Sequence, residues 1–161
     1  CIKNDCSYTI VTIDLNQRFK LNDILILEKF NRESVVSCMY YDSKTKNNYI
    51  KRFNIETSTA DKVFYFLDEN SSMKLLLATT TKNSIFKFSY HASSGKKKVK
   101  EIDVDNFVIV KGWKSIGNKV NYYKRMSAHE ILRKITDIKN SNIENTLEGD
   151  NNNSDTLNLF E

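Results

Sequence analysis

From Tyr8 to Lys124 the apolar residues fall in short runs separated by polar clusters, and β-branched and aromatic types dominate those runs. Short runs of this chemistry read as strands rather than helices. They predict strands near Tyr8 to Asp14, Ile24 to Phe30, Val35 to Asp42, Asn48 to Ile55, Lys62 to Leu67, Leu75 to Thr80, Ser84 to Tyr90, Val99 to Val104, Phe107 to Lys111 and Lys119 to Lys124. The brief polar links from Asp42 to Asn48 and from His91 to Lys98 predict hairpins, and therefore antiparallel neighbours. No long helical pattern separates the strands, which excludes a βαβ fold and leaves a sandwich, a barrel or propeller-like blades.

After Arg125 the pattern changes. Ser127-Ala128-His129-Glu130 has capping-box form, and Ile131, Leu132, Ile135 and Ile138 follow along one helical face. A short C-terminal helix over 129–138 is expected, with the alternative that Ala128 to Leu132 extends the last sheet as a final strand. Residues 139–161 are rich in Asn, Ser and Asp and are predicted to be a disordered acidic tail, broken only by Leu157, Leu159 and Phe160. The organisation read from the pattern is one folded unit over 1–128, a terminal element over 129–138 and the tail. The opening at Cys1 reads as a fragment of a longer polypeptide.

Composition sharpens this picture. Pro is absent and Gly occurs only 4 times in 161 residues, so Asn, Asp and Ser must form the turns. The 3 cysteines have no paired spacing, which points to reduced thiols and to neither a disulfide framework nor a zinc site. No apolar run approaches the roughly 18 residues of a membrane span, so a soluble cytoplasmic protein is expected. The net charge of +5 conceals an asymmetry: residues 1–128 hold 22 Lys and Arg against 13 Asp and Glu, and residues 129–161 hold 3 against 7. A basic body suits a polyanion such as nucleic acid, and an acidic tail suits solvation or masking of that body.

No catalytic or metal-binding constellation is visible. His91 and His129 stand alone and read as surface residues, Asp103 and Asp105 read as surface acids, and there is no Walker loop, GxSxG or HExxH.

Four segments occur in an informative order: Asp23-Ile24-Leu25-Ile26-Leu27-Glu28-Lys29-Phe30, Met39-Tyr40-Tyr41-Asp42, Tyr49-Ile50-Lys51-Arg52-Phe53, and the stretch from Val110 to Val120 that reads VKGWKSIGNKV. Over about residues 5 to 132 they resemble the C-terminal domain of the A subunit of bacterial type IIA topoisomerases, topoisomerase IV and gyrase. That resemblance implies a β-pinwheel, a propeller variant of antiparallel four-stranded blades, present here as a partial wheel of about two and a half blades. It implies a DNA-binding, DNA-wrapping role, with a basic outer rim that bends duplex DNA for ATP-dependent strand passage. It further implies that this chain serves a topoisomerase holoenzyme without catalytic residues or a cofactor of its own. ATP and Mg would belong to the rest of the enzyme, and the partners would be duplex DNA, the A-subunit core and the B subunit, in a nucleoid-associated setting. The stretch from Lys111 to Lys119 is similar to the G-R-x-x-x-G loop of such blades, with Gly112 and Gly117 retained and Lys114 near its basic position. Trp113 and Ile116 depart from the gyrase box, which favours topoisomerase IV.

The candidate DNA contacts are therefore Lys111, Gly112, Lys114, Gly117 and Lys119 in that loop, Lys51 and Arg52 in the aromatic strand, Lys96, Lys97 and Lys98 in a hairpin, and Lys124 with Arg125. Strand periodicity puts Tyr49, Lys51 and Phe53 on one face and Ile50 with Arg52 on the other. Two other readings fit the same residues: a β-rich protein-interaction module, and a single-stranded nucleic-acid binder that stacks bases on exposed tyrosines and phenylalanines.

Overall fold

Backbone pairing gathers the chain into three small sheets, built almost wholly of antiparallel strands. The computed structural model describes residues 1–133 apart from 13, 15, 17, 68–72, 93 and 121–125. In chain order the strands are β1 (Ile2–Lys3), β2 (Ser7–Thr9), β3 (Ile24–Ile26), β4 (Val35–Asp42), β5 (Asn47–Asn54), β6 (Val63–Tyr65), β7 (Met73–Thr79), β8 (Ser84–His91), β9 (Lys97–Asp103), β10 (Asn118–Val120) and β11 (Met126–Arg133). One short helix, α1 (Val104–Phe107), lies between β9 and β10.

The strands do not stay in the sheets where they begin. The first sheet runs β3-β1-β2-β6, the second β10-β5-β4-β7 and the third β11-β8-β9. After the β4-β5 hairpin the chain leaves to pair β6 with β2 of the first sheet, then returns to pair β7 with β4. After the β8-β9 hairpin it repeats the excursion: β10 pairs with β5 of the second sheet and β11 returns to β8. In the first and second sheets the outermost strand is thus donated by the following unit. The innermost strands β3, β7 and β11 lie side by side in that order. This is the arrangement of neighbouring blades around part of a wheel.

Burial follows the stacking. Val36, Cys38, Tyr40 and Phe53 of the second sheet pack against Tyr8 and Phe66 in one core, while Met39 and Ile50 of the same sheet meet Phe86, Phe88 and Ile102 in another. Because both of its faces are covered, β4 reads as the near-continuous apolar run VVSCMYYD. The hairpin after β4 is held by Asp42, whose carboxylate accepts from the Lys44 N–H and from the Thr45 hydroxyl at 2.6 Å; that hydroxyl is the main cause of its lowered pKa. In the second hairpin Gly95 adopts a φ of 75°.

Two expectations are corrected and one pair of alternatives is decided. Phe107 to Lys111 is not a strand, because Asp103 caps α1 through the Asn106 N–H and the chain turns there. Of the two alternatives for 129–138, the described part is strand β11, whose eight residues find more pairing along β8 than a solitary helical turn would. His129 is half-buried rather than a surface residue, and burial, then Lys74, lowers its pKa. The tail over 139–161 lies outside the described residues.

The two buried thiols give a pH dependence. Burial pushes Cys6 up to about 11 and Cys38 up to about 12, with Lys51 opposing both shifts. Above about pH 9 the unfolded chain releases thiol protons that the folded chain retains, so these groups make stability fall as pH rises. Cys38→Ala should flatten that fall between pH 8 and 10, measured as the denaturant midpoint. A slope as steep as in the parent protein would remove Cys38 as a cause.

Candidate nucleic-acid interface

The strand β5 carries the most basic part of the aromatic motif, and its alternation holds: Tyr49 and Phe53 join the first core with Lys51 between them, and Ile50 joins the second. Since both faces are covered, neither cation of the pair reaches a rim. Lys51 is 0% exposed, and its ammonium donates to the carbonyls of Phe66 at 2.7 Å and Trp113 at 2.6 Å. It also lies over the Phe53 ring, 4.9 Å from the centroid. Desolvation lowers its pKa. Arg52 points to the opposite face, where its guanidinium pairs with Asp105 at 2.6 Å and donates to the Val108 carbonyl. Both residues were candidates for phosphate contact; the structure gives them internal partners instead. Asp105, expected as a free surface acid, anchors the segment after β9.

The loop from Lys111 to Gly117 crosses the outer end of the second sheet and is tied down along its length. The Lys111 N–H donates to the Arg52 carbonyl, the Trp113 carbonyl accepts from Lys51, and the Ile116 carbonyl accepts from the Tyr40 hydroxyl at 2.6 Å. The Asn118 amide then donates to the Phe107 carbonyl. Gly117 makes the close approach possible: its φ is 90°, and a Cβ there would meet the Ile50 carbonyl oxygen at 2.4 Å and Lys51 Cβ at 2.7 Å. Trp113 reaches across to the first sheet and packs edge-on against Tyr8 and Phe64. Its departure from the box pattern thus has a structural role, bolting the loop to a neighbouring sheet.

The side chains left outside include lysines, beside the exposed Ile116. Lys111, Lys114 and Lys119 are exposed, as are Lys96, Lys97 and Lys98. Two more join them that linear spacing does not single out. Lys62, just before β6, lies over Phe64, while Lys114 lies over Trp113, so two cations flank one aromatic group where the first and second sheets meet. Lys100 and Lys119 line one groove between β9 and β10, where the second and third sheets meet. Only the donation of β10 to the second sheet brings these two together, which is why the sequence carries no signal for the pair. Acids punctuate the rim: Glu56 stands beside Gly112, and Glu101 and Asp103 line the groove. Lys124 and Arg125 lie outside the described residues. Among the described residues no group of His, Cys, Asp and Glu could hold a metal ion, and no helix is long and apolar enough to cross a membrane.

A family model for the topoisomerase C-terminal domain of Bacteroidota matches residues 1–132. The chain belongs to that family. The match spans all three sheets up to the next-to-last residue of β11. Neither the curated proteins nor the solved structures yield a match to this topoisomerase domain. Its membership agrees with the resemblance carried by the four segments, and the blades seen here are those that the resemblance implied.

Two substitutions separate structural from surface roles. Lys51→Ala should cost about 3 kcal/mol or more, because it leaves a cavity and two buried carbonyls without a donor, whereas Lys51→Met keeps the stem volume and should cost less. Gly117→Ala should destabilise more than Gly95→Ala, which has open space and only the positive-φ penalty of about 1–2 kcal/mol. Urea unfolding gives both comparisons; equal losses for the two glycines would contradict the close approach at Gly117.

Proposed function

We propose that this topoisomerase domain binds and wraps duplex DNA along its outer rim, as the C-terminal part of a type IIA A subunit. The observation that supports this most directly is the placement of exposed lysines at successive sheet junctions, Lys62 and Lys114 at one and Lys100 and Lys119 at the next. Lys111 and Lys96 to Lys98 add further exposed charge. A duplex laid across the junctions would have phosphates neutralised in sequence, and release of condensed counterions would favour binding. Such contacts orient the DNA without reading its bases, so sequence preference should be weak. The bend would deliver DNA toward the cleavage gate of the A-subunit core, with ATP turnover supplied by the B subunit. The loop sequence, with Trp113 and Ile116 in place of the gyrase box pattern, favours topoisomerase IV.

Among the described residues no aromatic side chain is exposed and the exposed large apolar side chains are aliphatic, so the described surface lends the stacking alternative no support. Duplex binding measured against salt tests the wrapping reading. Replacing Lys111, Lys114 and Lys119 together with Gln should lower affinity, and every lysine that truly neutralises a phosphate should, once replaced, reduce the slope of log K against log salt by about 0.9. Lys51→Met, if folded, should leave that slope unchanged. An unaltered slope in the triple variant would take the loop out of the DNA path.

A further inference from the structure

In the first sheet the outer side of β2 is completed by β6, and in the second the outer side of β5 is completed by β10. The strand β9 holds the equivalent place in the third sheet, yet from Lys97 to Ile102 its outer side pairs with no described strand. This edge is long, and Val99 on it is 60% exposed. Unpaired N–H and C=O groups in such a row form a template for another strand.

We propose that the segment from Thr156 to Phe160 of this same chain adds to β9 as an antiparallel fourth strand. The spacing of the donated strands points there. The partner of β2, which ends at Thr9, begins 54 positions later at Val63; the partner of β5, which ends at Asn54, begins 64 positions later at Asn118. Counted from Asp103, those intervals fall at 157 and 167, and the first lands on Leu157. The segment has strand periodicity, with Leu157 and Leu159 separated by Asn158. Charge agrees as well: Lys97, Lys98 and Lys100 are exposed on β9, while residues 140–161 hold five carboxylates and no Lys or Arg. The 22 residues between Arg133 and Thr156 are long enough, since an extended chain covers about 3.3 Å per residue and one strand spacing is about 4.8 Å. An added strand would lay the acidic segment beside Lys97, Lys98 and Lys100, in competition with any polyanion there.

Amide hydrogen exchange on the full chain, without DNA, tests the pairing independently of the wrapping proposal. Every second amide from Lys97 to Ile102 should exchange at least tenfold more slowly in the full chain than in a chain ending at Asp155. The Leu157→Asp/Leu159→Asp variant should match the truncation, with β8 protection unchanged in all three proteins. Outer amides that exchange at unprotected rates in the full chain would overturn the proposal, as would protection that survives both changes. Protection that rises with protein concentration alongside a doubled mass would assign the edge to a second copy and overturn it equally.

Discussion

Backbone pairing between successive units is the constraint on which the other features depend. A hairpin such as β4-β5 or β8-β9 is at best marginal in isolation, because it exposes two edges and buries one face. Donating β6 backward to β2 and β10 backward to β5 completes those outer edges with ladder hydrogen bonds and ties the sheets together through the chain itself. The sheets cannot then separate without breaking pairing as well as packing. The same donation decides which loops lie outermost, and it brings Lys119 and Lys100 to the lining of one groove, although the two come from different hairpin units.

The buried ammonium of Lys51 links that backbone scheme to the loop chemistry. Among the described residues it has no carboxylate partner, and its acceptors are two carbonyls, one from Phe66 just beyond β6 and one from Trp113 in the loop before β10. Both donated segments are therefore gathered on one side chain of the second sheet. Desolvation of a cation is costly, and carbonyl dipoles with two aromatic faces offset only part of it. What the arrangement provides is position: the carbonyl of Trp113 is fixed, its ring is seated on Tyr8 and Phe64, and Lys114 is turned outward.

The sequence made the architecture legible where apolar periodicity and turns were strong. Val35 to Asp42 coincides with β4, and the hairpins at Asp42 and His91 close as expected. It misled where a local signal met a tertiary demand. The capping box at Ser127 and Glu130 describes a sound helix start, but an unpaired side of β8 stood available, and a strand there pairs at seven positions. The run from Phe107 to Lys111 has strand composition, yet the Arg52 pairing with Asp105 and the cap at Asp103 hold the chain in a turn just before it. The candidate interface was half legible. Lysines in the loop and hairpin were visible as charge runs, whereas Lys62 and Lys100 acquire meaning only from partners distant in the chain.

The motif from Tyr49 to Phe53 shows how far identical charge can diverge in role. Lys51 and Arg52 are adjacent, and both looked like phosphate ligands by type. In a strand covered on both faces, alternation sends one into each core, so each must find internal acceptors or carry an uncompensated desolvation cost. Lys51 takes carbonyls at the junction with the first sheet, and Arg52 takes Asp105 and the Val108 carbonyl at the junction with the third. Basic residues in outermost strands and loops face no such demand; their solvation is intact and their charge stays available. A polyanion would therefore meet the rim lysines, while the two cations of the motif set how rigidly the sheets bearing those lysines are held.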